Sequence, residues 1–260
     1  MSANSRSLVS VIVAVFLAAP MTAERHAERI ARPDGIPSVI ASARKGVEYP
    51  VWVAAEAAID ANGDFQPSLL SPTNRSILDD NRQLNAGATE CRIFVGTPHD
   101  SYSVSRTFDD AIGNALTIVS GEVVAVQQGF YTGLPGTLAA VRIAERLKTF
   151  GRADSAGDVV YVFVQEARIA TPKGLICAST FEALPPLTRG DRVIVLADLD
   201  PIDQDGQVLD VDPQKGLVVA KGDTLLMPKA FGASSAATLD DLLSKVRSHP
   251  QLHTVKHEKR

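Results

Sequence analysis

From residue 116 to residue 228 the chain is a succession of short apolar segments cut by turn residues, a pattern that commits this stretch to strands. Residues 116–126 (LTIVSGEVVAV) read as a strand with Gly121 in its middle, where a barrel strand can bend. Residues 137–147 alternate Ala139, Val141 and Ile143 against Arg142 and Arg146. Residues 158–164 (DVVYVFV) are apolar on both faces, which puts that strand in the centre of a sheet. A hairpin is expected over 168–178 around Thr171 to Gly174, a short strand over 192–197, and a last pair from 207–211 and 216–221. Regular strands with few helices give a mainly β fold, a small OB-like closed barrel over 107–228. A β-containing extension at 24–106 precedes it, and a C-terminal helix and tail at 229–260 follow.

Two helix starts carry the same signature. Thr107-Phe-Asp-Asp110 and Thr238-Leu-Asp-Asp241 each set a hydroxyl at an N-cap and a carboxylate three residues on. Helices are expected over 108–115 and 239–248, the second stopped by Pro250. In the extension, residues 24–45 read as a leader with a short helix after Pro37. Residues 47–59 alternate as a strand, 66–87 form a polar connection punctuated by proline, and 90–95 form a short strand.

The first 23 residues read as a secretory signal peptide: Arg6, then twelve uncharged apolar residues at 8–19, then Pro20 and a cleavage site after Ala23. Twelve helical residues span only about 18 Å, short of a bilayer core of about 30 Å, so no membrane span is expected after cleavage. The expected location is secreted or periplasmic. In such a compartment Cys91 and Cys177 have only one way to pair, and a bridge across 86 positions is worth on the order of 4 kcal/mol. Two separate buried thiols are the alternative.

A short helix entering residues 115–123 (ALTIVSGEV), a second strand ending at Leu147-Lys148, a Cys-bearing strand and Gly190-Asp-Arg-Val-Ile-Val-Leu196 follow one another in a familiar order. Over about residues 107–200 this resembles the netrin-like domain, the OB-type barrel also used by tissue inhibitors of metalloproteinases. The resemblance implies barrel topology. It does not carry over protease inhibition, because those inhibitors present an N-terminal cysteine and here no Cys precedes Cys91.

Candidate sites are few. Phe130 and Tyr131 lie in 129–136, read as a glycine-flanked loop between the first two barrel strands, where OB-type barrels bind ligands. An aromatic contact for a protein or carbohydrate partner is one reading; rings folded back to cap the barrel are the other. Asp203, Asp205 and Asp212 fall at positions three, five and twelve of an EF-hand-like loop, the one place where Ca2+ could be a cofactor. Position one is Pro201, which offers no ligand, and a solvated turn is the competing reading. Asp60, Asn62 and Asp64 make a shorter version of the same pattern. His249, His253 and His257 recur every four residues but follow Pro250 near the end of the chain.

With 26 Lys and Arg against 30 Asp and Glu, net charge −4, nothing is built to neutralise phosphates, so no nucleic-acid partner is expected. No Gly-x-Ser-x-Gly elbow, His-Glu-x-x-His, Cys-x-x-Cys or dinucleotide fingerprint is present. The expected function is an exported, non-enzymatic binding or interaction module with its ligand at the barrel mouth. A hydrolase without local motifs and a structural component of the cell envelope are the alternatives.

Overall fold

The computed structural model describes residues 35–95, 107–151, 153, 157–179, 186–203, 205–211, 216–228, 231 and 238–252. The signal-peptide reading of residues 1–23 therefore lies outside the described residues, as do Asp212, His253 and His257. In chain order the elements are β1 (Val39–Ile40), β2 (Trp52–Ala54), α1 (Ala55–Ala58), α2 (Pro72–Leu84), α3 (Phe108–Asn114), β3 (Thr117–Tyr131) and β4 (Leu134–Lys148). There follow β5 (Val159–Val164), β6 (Ala167–Thr171), β7 (Gly174–Ala178), β8 (Arg192–Ala197), β9 (Val208–Asp210), β10 (Leu217–Lys221), β11 (Thr224–Leu226) and α4 (Leu239–Arg247).

The frame is the long hairpin of β3 and β4. Its strands are joined by Thr132-Gly133, both at positive φ (49° and 86°), the two-residue turn whose twist matches a hairpin. The expected loop at 129–136 is thus two residues long, because Phe130 and Tyr131 continue β3 and pair with Pro135 and Leu134. The register shifts between Ser120 and Gly121, where a Cβ on Gly121 would come within 2.2 Å of the Arg142 carbonyl oxygen. The glycine expected to let the strand bend therefore sits at an irregularity of the ladder. The other edge of β3 is divided: residues 117–122 pair with β8 and residues 129–131 with β2.

The strand order is β11-β10-β8-β3-β4-β5-β9, with β2 and then β1 on the free half of β3. This order is open: β11 and β9 are its ends, and no ladder joins them among the described residues, so the closed barrel expected from strand spacing is not what these pairings make. The expected hairpin of 207–211 with 216–221 is also corrected. β9 pairs in parallel with β5, while β10 pairs with β8 at the opposite end of the order. Val208 and Leu209 are both fully buried and project to opposite faces, into different core clusters, so β9 needs cover on both sides.

One face of the sheet encloses a valine-rich core that includes Val119, Val141, Val162, Val195, Leu209 and Val219. Both ends of the strand order feed this cluster, Leu209 from β9 and Leu226 from β11, so the sheet curls round it. Outside, α3 and α4 cover Ile118, Ile194 and Val218 with Phe108, Ile112, Leu242 and Val246. Both helices begin with the expected capping box, Thr107 with Asp110 and Thr238 with Asp241.

The extension departs most from expectation. Its 47–59 strand shrinks to β2 and turns into the single helical turn α1, because alanine favours helix and gives a strand little to pack. Residues 66–87 are not a connection but contain α2, with Ser71 as N-cap and Pro72 in the first turn. Residues 90–95 form only an isolated bridge from Val95 to Ala178. After Pro37 the chain enters β1, where a helix was expected. β1 and β2 belong to the same sheet as β3, so the extension is part of the main fold.

Candidate functional site

Cys91 and Cys177 form a disulfide, with Cα atoms 5.8 Å apart. The bridge fastens residues 85–95 to β7, and two buried amides of the α2 region complete the attachment. The Asn81 Oδ1 accepts from the Cys177 N–H at 2.9 Å while its Nδ2 donates to the Ile93 carbonyl at 3.0 Å. Asn85 donates to the same carbonyl at 2.8 Å, and its Oδ1 accepts from the N–H groups of Arg92 and Ile93. Val95 N–H donates to the Cys177 carbonyl at 2.7 Å.

This strap forms one wall of a cleft of about 530 Å³. Glu90, Cys91 and the Phe94 ring, which is 48% exposed, line it from the strap; Gln128, Thr137, Glu166 and Arg168 line it from β3, β4, the β5–β6 bend and β6. A second cleft, of about 480 Å³, is bordered by Glu56 and Asp60 near α1, by Gln128, and by residues 169–172. The two share Gln128, and successive residues of one segment, 167–168 and then 169–172, border one after the other. They are two stretches of a groove that follows β6.

Glu166 borders the first of these clefts. The bend between β5 and β6 fixes its backbone: its N–H donates to the Val164 carbonyl at 2.7 Å, and its own carbonyl accepts from the Thr137 hydroxyl at 2.5 Å. The side-chain Oε2 is buried with no hydrogen-bond partner, and burial raises the carboxyl above the ordinary glutamate value. On β3 the Gln127 amide donates to Glu56, while its Oε1 is also buried without a partner. Arg168, the one cation bordering the groove among the described residues, donates its guanidinium to the Thr89 carbonyl. Lys173, next to Pro172, pairs with Asp64 and holds that carboxyl below its ordinary value.

The residues expected to bind ligand lie elsewhere. Phe130 and Tyr131 are 1% and 5% exposed. Phe130 meets Phe65 edge-on at 6.1 Å and Tyr131 stacks on Phe163 at 4.6 Å. Both rings fill the core on either side of β3, as the alternation of a strand requires. Burial, reinforced by Asp210 and Asp203, drives the Tyr131 phenol far above its usual pKa.

Asp203 is fully buried and its carboxylate is occupied by the chain itself, accepting from the N–H groups of Asp205, Gln207 and Val208 at 3.2, 3.1 and 2.9 Å. It sets the turn into β9. Asp60 plays the same part at its own turn, accepting from the N–H groups of Asn62 and Asp64. Among the described residues, no three His, Cys, Asp or Glu side chains are grouped to hold a metal ion. Of the groove carboxyls only Asp60 carries a local sequence signal, and that signal marks its turn. Gln127-Gln128 within an apolar strand and Gln165-Glu166 at the end of another are the only other traces, and each reads equally well as an exposed strand face or a turn.

In comparisons with known proteins, no family model matches this chain, and no curated protein or solved structure does either.

Proposed function

We propose that this chain is an extracytoplasmic, non-enzymatic binding module whose ligand lies in the groove along β6, against the disulfide strap, and not at Phe130 and Tyr131. The observation that carries the reading is Glu166: a carboxyl with one oxygen buried and unpartnered, bordering a cleft of about 530 Å³. An unsatisfied buried acceptor costs about 1–3 kcal/mol, and a ligand donor reaching it recovers that cost. The location is supported by the Cys91–Cys177 bridge, which oxidising compartments favour, and by the absence of a membrane-spanning helix among the described residues.

The scaffold in this reading is an OB-type barrel of netrin-like character. Its support is the meander β3-β4-β5, with β8 antiparallel to β3 and β10 antiparallel to β8, together with the parallel pairing of β9 and β5. OB barrels are partly open, which suits an open strand order.

The test is a thermal-shift screen of oligopeptides and oligosaccharides against the wild type, Glu166→Gln and Gln128→Ala, with each compound recovered and weighed by mass spectrometry. At a hundredfold excess over Kd a ligand adds about 2.7 kcal/mol of stability. The expected result is a ligand class that raises the wild-type Tm, loses its effect on both variants and returns intact. No class distinguishing the variants would contradict the reading. Cleaved products would favour a hydrolase, for which Glu90 and Glu166 bordering one cleft supply two carboxyls.

A further inference from the structure

We infer that the groove takes an extended basic peptide, which adds as a strand to the open edge of β6. This rests on the binding-module reading and names its partner.

The edge is the first ground. β6 and β7 make a sheet of two strands only. The second edge of β7 is engaged at Ala178 by Val95. The second edge of β6 carries no strand among the described residues, and no backbone hydrogen bond joins residues 167–171 to any described segment except β7. An antiparallel pair turns the N–H and C=O of alternate residues away from the partner strand, so part of the β6 backbone offers donors and acceptors to a third strand. An exposed edge of this kind is how sheets capture extended peptides.

The groove is the second ground. Both clefts lie along residues 167–172, a run of about 20 Å at 3.3 Å per residue, room for about six residues of extended chain. Half-buried Ile59 in one cleft and the exposed Phe94 ring in the other provide apolar places for side chains that alternate along a bound strand.

Charge is the third ground. Glu56, Asp60, Glu90 and Glu166 border the groove; the single cation bordering it among the described residues, Arg168, is turned onto the Thr89 carbonyl, and nearby Lys173 is held by Asp64. A segment bearing Lys or Arg meets complementary charge along the whole run, while an acidic one is repelled.

The experiment uses fluorescence anisotropy of the full chain, disulfide intact, with three labelled octapeptides: alternating lysine and valine, alternating glutamate and valine, and the lysine peptide with alternate amides N-methylated. The expected result is saturable binding of the basic peptide alone, at least tenfold weaker after N-methylation and at least tenfold weaker for Glu56→Gln/Glu166→Gln. A free polyamine serves as a fourth probe and should compete poorly, because it has no backbone to pair. Equal binding of the acidic peptide, equal binding of the N-methylated peptide, or full competition by the polyamine would overturn the inference. Because methylation alters the probe and not the protein, misfolding of a variant cannot mimic the result. If the basic peptide fails while an oligosaccharide still shifts Tm in a Glu166-dependent way, this inference falls and the binding-module reading stands. If neither responds to the groove variants, both fall.

Discussion

The β3–β4 frame and the β6–β7 hairpin are held together by different physics. The frame is apolar on both faces: valines fill its concave side, and helices α3 and α4 or the Trp52 cluster cover the outside. The hairpin packs on Phe65, Leu78 and Phe130, but its far side is attached by a disulfide and by the buried amides of Asn81 and Asn85. Apolar packing fills space and leaves no groove. Point attachments by a covalent bond and a few amides hold a wall at a distance, and the clefts lie beside that wall.

The largest effect expected on this comparison comes from the bridge. Replacing both cysteines by serine should cost about 4.5 kcal/mol by the loop-entropy relation, read from denaturant midpoints of the variant and the wild type. Beyond that global loss, residues 85–95 and β7 should lose additional protection through local opening that the frame does not share. A uniform loss of hydrogen-exchange protection would break the distinction between the two regions. Within the frame, Ile194→Ala removes a fully buried side chain between β8 and the covering helices and should cost about 2–5 kcal/mol in the same measurement. An effect under 1 kcal/mol would mean that this face is not tightly packed.

Asn85→Ala comes next. It deletes both an acceptor for the Arg92 and Ile93 N–H groups and a donor to the Ile93 carbonyl, so a loss of about 2 kcal/mol is expected. Asn85→Asp retains the acceptor and should recover part of it. At the frame's outer layer, Thr238→Ala removes the hydroxyl that caps α4 and should cost about 1 kcal/mol, seen as a small fall in Tm.

The smallest effect has the opposite sign. Burial raises the Glu166 carboxyl, so the folded state binds its proton more tightly than the unfolded chain does. That contribution is fully present below the unfolded value near 4.5 and is lost as pH rises through the folded value. Above the folded value the burial of this carboxyl therefore works against folding. Glu166→Gln should raise Tm slightly at pH 7, and the gain should vanish near pH 4. A lower Tm at pH 7 would show that the carboxylate has a partner in the folded protein.

The two regions also differ in how well the sequence announces them. β3, β4, β5 and β8 follow from alternation and from apolar runs, Gly121 marks a register shift, and the two Thr-x-x-Asp boxes cap real helices. These signals are local, and local patterns survive in one dimension. α2 escapes because its buried face mixes Leu78 with Asn81 and Arg82, so its periodicity is blurred, although Ser71-Pro72 was a usable start signal. The groove escapes for a stronger reason. Glu56, Gln128 and Glu166 are brought together by β2 pairing with the end of β3 and by the bend after β5, and no spacing in the chain encodes those meetings. Phe130 and Tyr131 drew attention because they flank glycines. Gly129 is there because a Cβ would strike Trp52 and the Val53 carbonyl, which is a packing need and not a ligand loop.

The open edge of β6 is tested most directly by amide hydrogen exchange at residues 167–171, measured on the disulfide-bonded protein with and without the alternating lysine–valine octapeptide. In the free protein alternate amides of β6 should exchange fast while their neighbours, bonded to β7, exchange slowly. The peptide should slow the fast ones at least tenfold and leave Phe130 and Tyr131 unchanged. Uniformly slow exchange along β6 in the free protein, or protection that appears anywhere but on this strand, would contradict the account.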